Sequence, residues 1–557
     1  MNHSHSPLSP VTFIERSARA FPEKTALTYL DKAISFSKLL DRSRRLAQAL
    51  SRLHVEPGDR VAVLSENNVH AVEAHFGIPG AGAVIVMLNP WLSAADVVDL
   101  LKYSGAKVLI ADKKSFQKIP AGLVAADTDV VKIMLVDGIE QQPEDGIVDY
   151  ETCLENEDGH SSLEKFIKSE MDPIAINFTS GTTGRPKGVT YSHRAAYLHA
   201  VGQVMMIGLH RNSRYLWTLP MFHVNGWGHM WACMAVGCTQ FVPDVSLTQG
   251  NSAEFIETIH LRKVTHLAGA PRLVRLLAEA PDKNDSLRGL TIVTGGAAPS
   301  TTLIQQLELI GVNLIHQYGL NETLGPFVVC EEQEEWKFLS PEARARMRAR
   351  QGIPAIHAGT GLRVLDANGI DVPHDGRTLG EIAMSGNTVA LGYYNNIEAT
   401  QKAFRGGLFY SGDMAIVYPD GFLEIRDRIK DLIYVETEYG WENISSLEIE
   451  NVLIQNDAVQ DAAVVGVSIE IDGKPAPVLV AFLEIKESKS IDESGMRDYC
   501  LEHLSVYKRP QVFYFIELPK TNTGKVRKDI LSRAAVEKLI SQPIWIESMP
   551  ASGVAVS

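Results

Sequence analysis

The sequence has few cysteines, no long apolar run and no excess of basic charge. Five cysteines are scattered through 557 residues and none stands in a CxxC spacing, which argues against a disulfide framework and a cysteine-rich zinc site. No segment reaches the roughly 18 consecutive apolar residues of a transmembrane helix. The formal net charge of −14 argues against a general nucleic-acid-binding protein. We therefore predict no membrane span and no nucleic-acid partner.

The ends of the sequence carry no targeting signal of the common types. Residues 1–24 lack the apolar core of a signal peptide, and the final ASGVAVS is not an SKL-type peroxisomal signal. Scattered cysteines are typical of proteins from a reducing compartment. We expect a cytoplasmic protein.

The chain is longer than one hydrophobic core usually organises, so two or more domains are expected. Over its first half, amphipathic helical segments such as FSKLLDRSRRLAQALSRL (36–53) alternate with apolar strands such as RVAVLSE (60–66) and AKVLIAD (106–112). This alternation predicts a doubly wound α/β fold with parallel sheets. Between about 352 and 427, short strands separated by turns predict a small β-rich subdomain.

A second unit is predicted from about residue 429. It contains a helix around ISSLEIENVLIQ, strands DAAVVGV and APVLVAFLEI, a helix SGMRDYCLEHL and a lysine-rich end. We place the boundary near residues 428–431. This gives a large N-terminal domain, 1–428, and a small C-terminal α+β domain, 429–557.

The segment SGTTGRPKGVTYSH (180–193) is the first candidate for chemistry. Successive backbone N–H groups in a glycine-rich turn form a site for anions, and hydroxyl and lysine side chains add donors. The segment is not a Walker A motif, because Lys187 is followed by glycine. Apolar strands, IAINFT and VTYSH, flank the loop. Taken alone, the loop is either a phosphate clamp between two strands or a polar hairpin turn.

Seven segments in order resemble the motifs of the adenylate-forming (AMP-binding) superfamily, which includes acyl-CoA synthetases, luciferases and adenylation domains. They are TSGTTGRPKG, PMFHVNGWG (220–228), GGAAP (295–299), HQYGLNET (316–323), YSGDMA (410–415), DGFLEIRDRIKD (420–431) and PKTNTGKVRKD (519–529). The resemblance covers nearly the whole chain. It implies an ATP- and Mg²⁺-dependent enzyme that converts a carboxylic acid to an acyl-adenylate and pyrophosphate.

The resemblance also implies the nucleotide-binding residues. The departing phosphates are held by Thr179, Ser180, Gly181, Thr182, Thr183, Gly184 and Lys187. Glu322 and Thr183 are the expected Mg²⁺ ligands, since hard oxygen donors suit this ion, and Thr323 is the expected α-phosphate contact. The adenine slot is formed by Gly296, Ala297, Gln317, Tyr318 and Gly319, and the ribose is held by Asp413 and Arg428.

The acid pocket is expected around PMFHVNGWG. By the resemblance, His223 and Trp227 line it together with Ala298 and Leu324, and the small alanine leaves room for the acid. This favours a short-chain, medium-chain or aryl carboxylic acid. A buried core aromatic beside a hydrogen-bonded histidine is the alternative interpretation of His223 and Trp227.

The C-terminal domain is expected to carry the catalytic lysine and to move. Lys525 resembles the lysine that bridges the substrate carboxylate and the α-phosphate, although Lys525 and Arg527 alone would also suit a solvated basic surface. The catalytic residues are thus Lys525, Thr183, Glu322 and Lys187. Lys430 is the expected hinge, about which the domain alternates between two poses.

The sequence departs from the family at DLIYVETEYGWENISS (431–446). Relatives that use CoA typically read DLI, then two residues, then GGENISS. This sequence has about four additional residues before the glycine, and Trp441 stands at the second glycine of that GG pair, directly after Gly440. Either the hairpin is longer and Trp441 points outward, or the indole blocks the tunnel that admits CoA. Acyl transfer to CoA is the first prediction. A carrier-protein thiol or an amine is the alternative acceptor, and a non-catalytic binding protein is the second alternative. We expect a monomer or a homodimer.

Overall fold

The structure is a computed structural model of the chain. It describes residues 6–120, 124, 127–136, 146–179, 186–243, 252–280, 286–437, 440–471, 474–521, 526–541 and 554–555. The statements that follow concern these residues. Among them, no helix is long and apolar enough to cross a membrane.

The amphipathic segment at 36–53 forms a helix over Phe36–Arg52, and it is one of the helices of the described residues. They are α1 (Val11–Ala20), α2 (Phe36–Arg52), α3 (Val69–Gly80), α4 (Ala94–Ser104), α5 (Lys113–Phe116), α6 (Tyr150–Glu155), α7 (His193–Ile207), α8 (His229–Val236), α9 (Ser252–Leu261), α10 (Pro271–Glu279), α11 (Thr301–Leu309), α12 (Pro341–Ala349), α13 (Ile397–Ala403), α14 (Ser446–Ile454), α15 (Glu493–His503) and α16 (Lys528–Ser541). Short 3₁₀ turns span Asn321–Thr323, Glu334–Phe338, Ile429–Asp431 and Val506–Lys508. Val224–Trp227 forms a left-handed turn.

The strands, in chain order, are β1 (Thr25–Tyr29), β2 (Lys32–Ser35), β3 (Arg60–Leu64), β4 (Val84–Leu88), β5 (Ala106–Asp112), β6 (Lys132–Val136), β7 (Ile147–Asp149), β8 (Pro173–Thr179), β9 (Lys187–Ser192), β10 (Arg214–Leu216), β11 (Thr239–Val242), β12 (His266–Gly269), β13 (Thr291–Thr294), β14 (Asn313–Leu320), β15 (Gly325–Val329), β16 (Ile353–Pro354), β17 (Leu362–Leu365), β18 (Gly380–Met384), β19 (Gly392–Tyr393), β20 (Phe404–Arg405), β21 (Leu408–Val417), β22 (Leu423–Arg428), β23 (Ile433–Thr437), β24 (Gly440–Ile444), β25 (Val459–Ile471), β26 (Lys474–Ile485), β27 (Val512–Phe515) and β28 (Val554–Ala555).

Two large sheets carry the first part of the chain and confirm the predicted α/β class. The nine-stranded sheet has the order β16-β15-β14-β13-β12-β10-β11-β1-β2, and the eight-stranded sheet has the order β19-β9-β8-β4-β3-β5-β6-β7. Both are mixed rather than purely parallel, because β15, β16, β2, β9 and β19 pair antiparallel at the edges. The strands β8 and β9 must be antiparallel, since a short loop joins them.

The chain divides into two compact units. One comprises residues 1–362 and 384–409, and the other comprises residues 363–383 and 410–557. The boundary at residues 428 and 429 concerns a moving domain and stays a prediction. In the first unit, strands β3 and β4 are buried almost throughout, as expected of parallel strands covered on both faces.

The second unit contains the predicted C-terminal elements. Strands β25 and β26 form a long antiparallel hairpin, and β27 adds to β26 in parallel. Helices α14 and α15 supply apolar side chains to one core of this unit, including Ile449, Leu453 and Met496. A five-stranded sheet has the order β17-β18-β21-β20 with β22 paired to β21, and a smaller sheet has the order β24-β23-β28.

Candidate functional site

Most of the predicted ligand-binding residues of the first unit follow the carboxyl ends of parallel strands. Thr179 ends β8, the GGAAP turn follows β13, and Gln317 to Gly319 lie at the end of β14. Ligands of open α/β sheets bind at this edge. These segments therefore lie at the edge of the sheets where such ligands bind, and their roles stay predictions.

A carboxylate, a phenol and an ammonium group meet beside the phosphate loop. The Tyr393 hydroxyl donates to Glu322 Oε1 at 2.7 Å, and Lys187 Nζ lies 4.8 Å from the centre of the Tyr393 ring. Burial and the neighbouring Glu322 charge raise the pKa of Tyr393 above its ordinary value, so the phenol remains a donor. Sequence reasoning missed Tyr393, whose only signal was a tyrosine pair in LGYYNN.

Backbone pairing holds this group in place. Strand β19 pairs with β9, with Tyr393 opposite Val189, and the Ala390 N–H donates to the Glu322 carbonyl at 2.8 Å. Thr323 is fully buried; its hydroxyl accepts from the Leu320 N–H at 3.0 Å and donates to the Gly325 carbonyl at 2.7 Å. Thr323 thus stabilises the turn that presents Glu322, and its contact with an α-phosphate stays a prediction.

Several buried polar atoms near these strands have no hydrogen-bond partner among the described residues. They are both side-chain amide atoms of Gln317 and the hydroxyls of Thr190, Tyr191 and Thr388. Buried polar groups are almost always hydrogen-bonded in folded proteins. Unpartnered amide and hydroxyl groups at the edge of the sheets therefore indicate a polar ligand. Burial and the charge of Glu322 raise the pKa of Tyr191, which keeps it neutral.

Gly295, in the GGAAP turn, and Gly319, near the end of β14, let neighbouring backbone carbonyl groups approach closely. A Cβ on Gly295 would lie 2.7 Å from the Gln317 carbonyl oxygen, and one on Gly319 would lie 1.8 Å from the Gly325 carbonyl oxygen. Gly296 has a φ of 85°. Gly296 and Ala297 are exposed, Ala298 is half-buried and Tyr318 is buried. The predicted slot therefore has small, exposed residues along one side.

The PMFHVNGWG segment adopts an unusual conformation. Five consecutive residues have positive φ: Val224 50°, Asn225 49°, Gly226 59°, Trp227 56° and Gly228 68°. A left-handed conformation costs roughly 1–2 kcal/mol for each non-glycine residue, so this turn must be held by its surroundings.

The left-handed turn places Trp227 between two glycines. A Cβ on Gly295 would lie 3.1 Å from Trp227 Cη2, and one on Gly325 would lie 3.5 Å from Trp227 Cβ. Burial lowers the pKa of His223 to about 4, so this histidine is neutral at pH 7. Leu324 is fully buried in the core and has a φ of 61°. Its contact with an acid stays a prediction.

In the second unit, the two predicted ribose residues face each other. Asp413 and Arg428 are opposite in the antiparallel pair β21–β22, and Arg428 Nε lies 3.2 Å from Asp413 Oδ1. Asp413 is buried. Lys430 follows in a 3₁₀ turn and is exposed.

The segment 431–446, which departs from the family pattern, contains two paired antiparallel strands. Strand β23 pairs with β24, with Glu436 opposite Trp441 and Thr437 opposite Gly440. The additional residues therefore extend two paired strands. The direction of the Trp441 side chain lies outside the described part of the structure.

Six predicted site residues also lie outside the described residues: Ser180, Gly181, Thr182, Thr183, Gly184 and Lys525. The bases of their two loops are described. Thr179 pairs with Lys187 across β8 and β9. A bridge joins Lys520 to Val526, and the Arg527 N–H donates to the Pro519 carbonyl at 2.8 Å.

A buried ion cluster follows the loop that contains Lys525. Lys528 Nζ lies 2.7 Å from Glu450 Oε1 and donates to Ser446 Oγ at 2.6 Å. Asp427 accepts from the Ser446 N–H and hydroxyl, both at 2.6 Å. Burial raises the pKa of Glu450 to about 7. The basic run is thus not uniformly solvated, because Lys528 is half-buried and paired with a buried carboxylate, whereas Arg527 pairs with Asp529 at the surface.

Comparison with known proteins gives consistent matches along the chain. The model of the family described as AMP-binding enzyme matches residues 14–394, and that of the AMP-binding enzyme C-terminal domain matches residues 448–525. The peroxisomal trans-cinnamate:CoA ligase of Petunia hybrida is 35% identical over 547 residues, covering 94% of this chain and 93% of the relative. The 4-hydroxybutyrate–CoA ligase 2 of Metallosphaera sedula is 35% identical over 541 residues, covering 96% of each.

A solved structure shares the fold over almost the full length. The anthranilate CoA ligase AuaEII, crystallised with anthranoyl-AMP, superposes with a TM-score of 0.81 at 26% identity, covering 97% of this chain and 100% of that chain.

Proposed function

The chain belongs to the AMP-binding enzyme family, and we propose that it is an ATP-dependent acid–CoA ligase acting on a short-chain, medium-chain or aryl carboxylic acid. In the first step, a carboxylate oxygen attacks the α-phosphorus of ATP, and acyl-AMP forms as pyrophosphate leaves. In the second step, the CoA thiolate attacks the acyl carbon, and the thioester forms as AMP leaves. The observation that carries this proposal is the Glu322–Tyr393–Lys187 group, held beside the phosphate loop of a family member.

The proposed phosphate site combines the loop with this group. Residues 179–184 offer backbone N–H groups and hydroxyls, and Lys187 offers a positive charge, to the β- and γ-phosphates. Glu322 and Thr183 would hold Mg²⁺. The carboxylate of Glu322 suits this hard cation and is oriented by Tyr393. When bound, Mg²⁺ offsets negative charge on the phosphate oxygens.

The nucleoside would be bound by the ribose and adenine residues that the family resemblance implies. Asp413 accepts hydrogen bonds from the ribose hydroxyls and Arg428 adds a second contact. The adenine would lie along Gly296, Ala297, Gln317, Tyr318 and Gly319. The unpartnered amide of Gln317 supports this assignment, because it offers both a donor and an acceptor.

Catalysis of adenylation is assigned to Lys525. Its ammonium would bridge the carboxylate and the α-phosphate and stabilise charge that builds up at phosphorus. The domain 429–557 would then turn about Lys430 to admit CoA. Thr323 would contact the α-phosphate in the first pose.

The acid would lie against Trp227, with His223, Ala298 and Leu324 completing the pocket. A neutral histidine and an indole favour an apolar acyl group over a charged one. The names of relatives agree with this range, since they include cinnamate, 4-hydroxybutyrate and butyrate as acids.

We also propose a cytoplasmic location and a monomeric or homodimeric enzyme. The scattered cysteines, typical of a reducing compartment, support the location, whereas two plant relatives are named as peroxisomal.

Pyrophosphate release over an acid panel tests the first step. The panel runs from acetate to octanoate and adds benzoate and cinnamate, each with ATP and Mg²⁺. We expect release with at least one acid and a matching CoA thioester in the mass spectrum when CoA is present. Absence of release with every acid would favour the non-catalytic alternative.

The altered hairpin gives a second candidate for the acyl acceptor. If acyl-AMP accumulates and no thioester forms, the Trp441→Gly variant should be compared with Tyr434→Gly on the paired strand. Thioester formation by Trp441→Gly alone would identify the indole as a block to CoA, and a carrier thiol or an amine would become the proposed acceptor.

A further inference from the structure

The left-handed turn at residues 224–228 is anchored through one buried side chain. Asn225 is fully buried, and its Oδ1 accepts a hydrogen bond from Asn177 Nδ2 at 2.6 Å. On its other side, Asn225 Nδ2 lies 3.1 Å from His75 Nε2. A single amide therefore joins the turn to strand β8 and to helix α3.

The direction of the hydrogen bonds is fixed by the histidine. His75 Nδ1 lies 2.7 Å from the Ala71 carbonyl oxygen, which can only accept. Nδ1 therefore carries the proton, and Nε2 accepts from Asn225 Nδ2. Burial lowers the pKa of His75 to about 4, so the ring stays neutral at pH 7. The chain Asn177 to Asn225 to His75 to Ala71 thus runs in one direction, with one N–H of each of the first three residues donating to the next acceptor, while Asn177 Oδ1 has no partner among the described residues.

The rest of the turn is fixed by packing. A Cβ on Gly226 would lie 2.4 Å from Trp217 Cζ3, and one on Gly228 would lie 2.6 Å from His199 Nδ1. Trp227, between these two glycines, is carried against Gly295 and Gly325. The location of the indole therefore depends on the conformation of the turn.

We propose that Asn225 is a positioning residue for acid selectivity, which fixes the turn that presents Trp227 to the acid pocket. The inference rests on the proposed function, because Trp227 is assigned there to the acid pocket. Asn225 does not contact the acid itself. Through Asn177, it also ties the wall of the pocket to the strand that ends at the phosphate loop, two residues before Thr179.

The variant Asn225→Gly tests the role of the Asn225 side chain separately from the backbone conformation of the turn. Glycine adopts a φ of 49° without strain, so the variant removes the hydrogen bonds and keeps the favoured conformation of the turn accessible. Asn395→Gly is the matched control, because Asn395 has a φ of 47° and an exposed side chain. We expect Asn225→Gly to raise KM for the preferred acid about tenfold, to reduce the kcat/KM ratio between preferred and poor acids about tenfold, and to leave KM for ATP within about twofold.

A double-mutant cycle tests whether Asn225 acts through Trp227. In a Trp227→Ala background, Asn225→Gly should change acid selectivity by less than about twofold, because there is no indole left to position. A further tenfold loss in that background would overturn the proposal. An equal rise in KM for ATP and for the acid in Asn225→Gly would also overturn the proposal, since the Asn225 side chain would then stabilise the ATP site as well as the acid pocket.

The hydrogen bond between Asn225 and His75 offers a second pair of variants if Asn225→Gly does not fold. His75→Leu removes the acceptor for Asn225 and should reproduce the loss of selectivity. His75→Gln retains an acceptor and should keep selectivity within about twofold of the wild type. Similar selectivity of His75→Leu and the wild type would overturn the proposal. Absence of acid-dependent pyrophosphate release by the wild-type enzyme would instead contradict the proposed function, and the inference with it.

Discussion

Glu322 is held in place by a tyrosine 71 residues further along the chain. A carboxylate that must bind a metal ion needs a fixed orientation, and a neighbouring hydrogen-bond donor supplies it. Tyr393 donates to one carboxylate oxygen and at the same time offers its ring face to the Lys187 ammonium. One side chain therefore orders two groups that are proposed to act on the same phosphates.

Replacement of Tyr393 by phenylalanine should weaken the Mg²⁺ dependence specifically. The variant removes the hydrogen bond to Glu322 and keeps the ring under Lys187. We expect the Mg²⁺ concentration for half-maximal pyrophosphate release to rise about tenfold, which is typical for loss of a group that orients a metal ligand. Initial rates over a Mg²⁺ titration at saturating ATP and acid measure this shift.

The neighbouring tyrosine provides the control. The Tyr394 hydroxyl donates to the Ser104 carbonyl at 3.2 Å rather than to Glu322. Tyr394→Phe should therefore leave the Mg²⁺ requirement within about twofold of the wild type. Equal requirements for Tyr393→Phe and Tyr394→Phe would contradict the role given to Tyr393.

Sequence reasoning reached Glu322 but not Tyr393, for a physical reason. Glu322 lies within HQYGLNET, a contiguous segment that resembles a family motif, and the resemblance implied its role. Tyr393 reaches the site only because β19 pairs with β9. No local pattern in LGYYNN specifies that pairing, since it depends on tertiary structure.

At the scale of elements, period and apolar runs predicted most helices and buried strands. Strand β5, for example, coincides with AKVLIAD. The strand predicted at RVAVLSE (60–66) is shorter, covering only Arg60–Leu64. The left-handed turn was not predictable, because Val224 and Trp227 disfavour positive φ and the turn is held by Asn177 and Trp217 from elsewhere in the fold.

The ion cluster at the start of α16 is expected to fix the base of the loop that contains Lys525. Lys528 is paired with Glu450 on α14, and Glu450 is almost fully buried. At pH 8, above the pKa of about 7 that burial gives Glu450, removing Lys528 from this pair leaves an uncompensated carboxylate charge. Lys528→Met should therefore lower the free energy of unfolding by about 3–5 kcal/mol. Denaturant unfolding followed by circular dichroism measures the change.

The second unit contains a matched ion pair at its surface. Lys508 Nζ lies 2.6 Å from Glu448 Oε1, and Glu448 is 41% exposed. Lys508→Met should lower the free energy of unfolding by about 0–1 kcal/mol, the range for exposed pairs. Equal losses for the two variants would show that burial does not govern the strength of the Lys528 pair.

At the scale of the whole molecule, buried histidines dominate the response to acid. Burial lowers the pKa of His75, His193, His223 and His316 to about 4 and that of His229 to about 3. Because an unfolded histidine has a pKa near 6.5, the unfolded chain binds more protons between about pH 6.5 and 4. The free energy of unfolding therefore falls as the pH falls through this window.

Buried carboxyl groups act in the opposite direction. Burial raises the pKa of Glu450 to about 7, so the folded chain keeps a proton on Glu450 that the unfolded chain releases between about pH 4.5 and 7. This contribution stabilises the fold at low pH and is lost as the pH rises. Burial also lowers the pKa of His199, His266 and His357 and raises that of Asp427. Eight histidines therefore stand against two carboxyl groups, and the balance favours proton uptake on unfolding.

Unfolding in guanidinium chloride at pH 5.5 should therefore take up protons. At that pH an unfolded histidine is about nine-tenths protonated, so the eight histidines less Glu450 and Asp427 give an uptake of at least about three protons per chain, and less than about one at pH 7.5. Potentiometric titration in weak buffer measures this number without assuming a two-state transition. His193→Gln should lower the uptake by about one proton, whereas His374→Gln, at an exposed position, should leave it unchanged. Release of protons at pH 5.5 would contradict the prediction, because the buried histidines would then have to be charged in the folded protein.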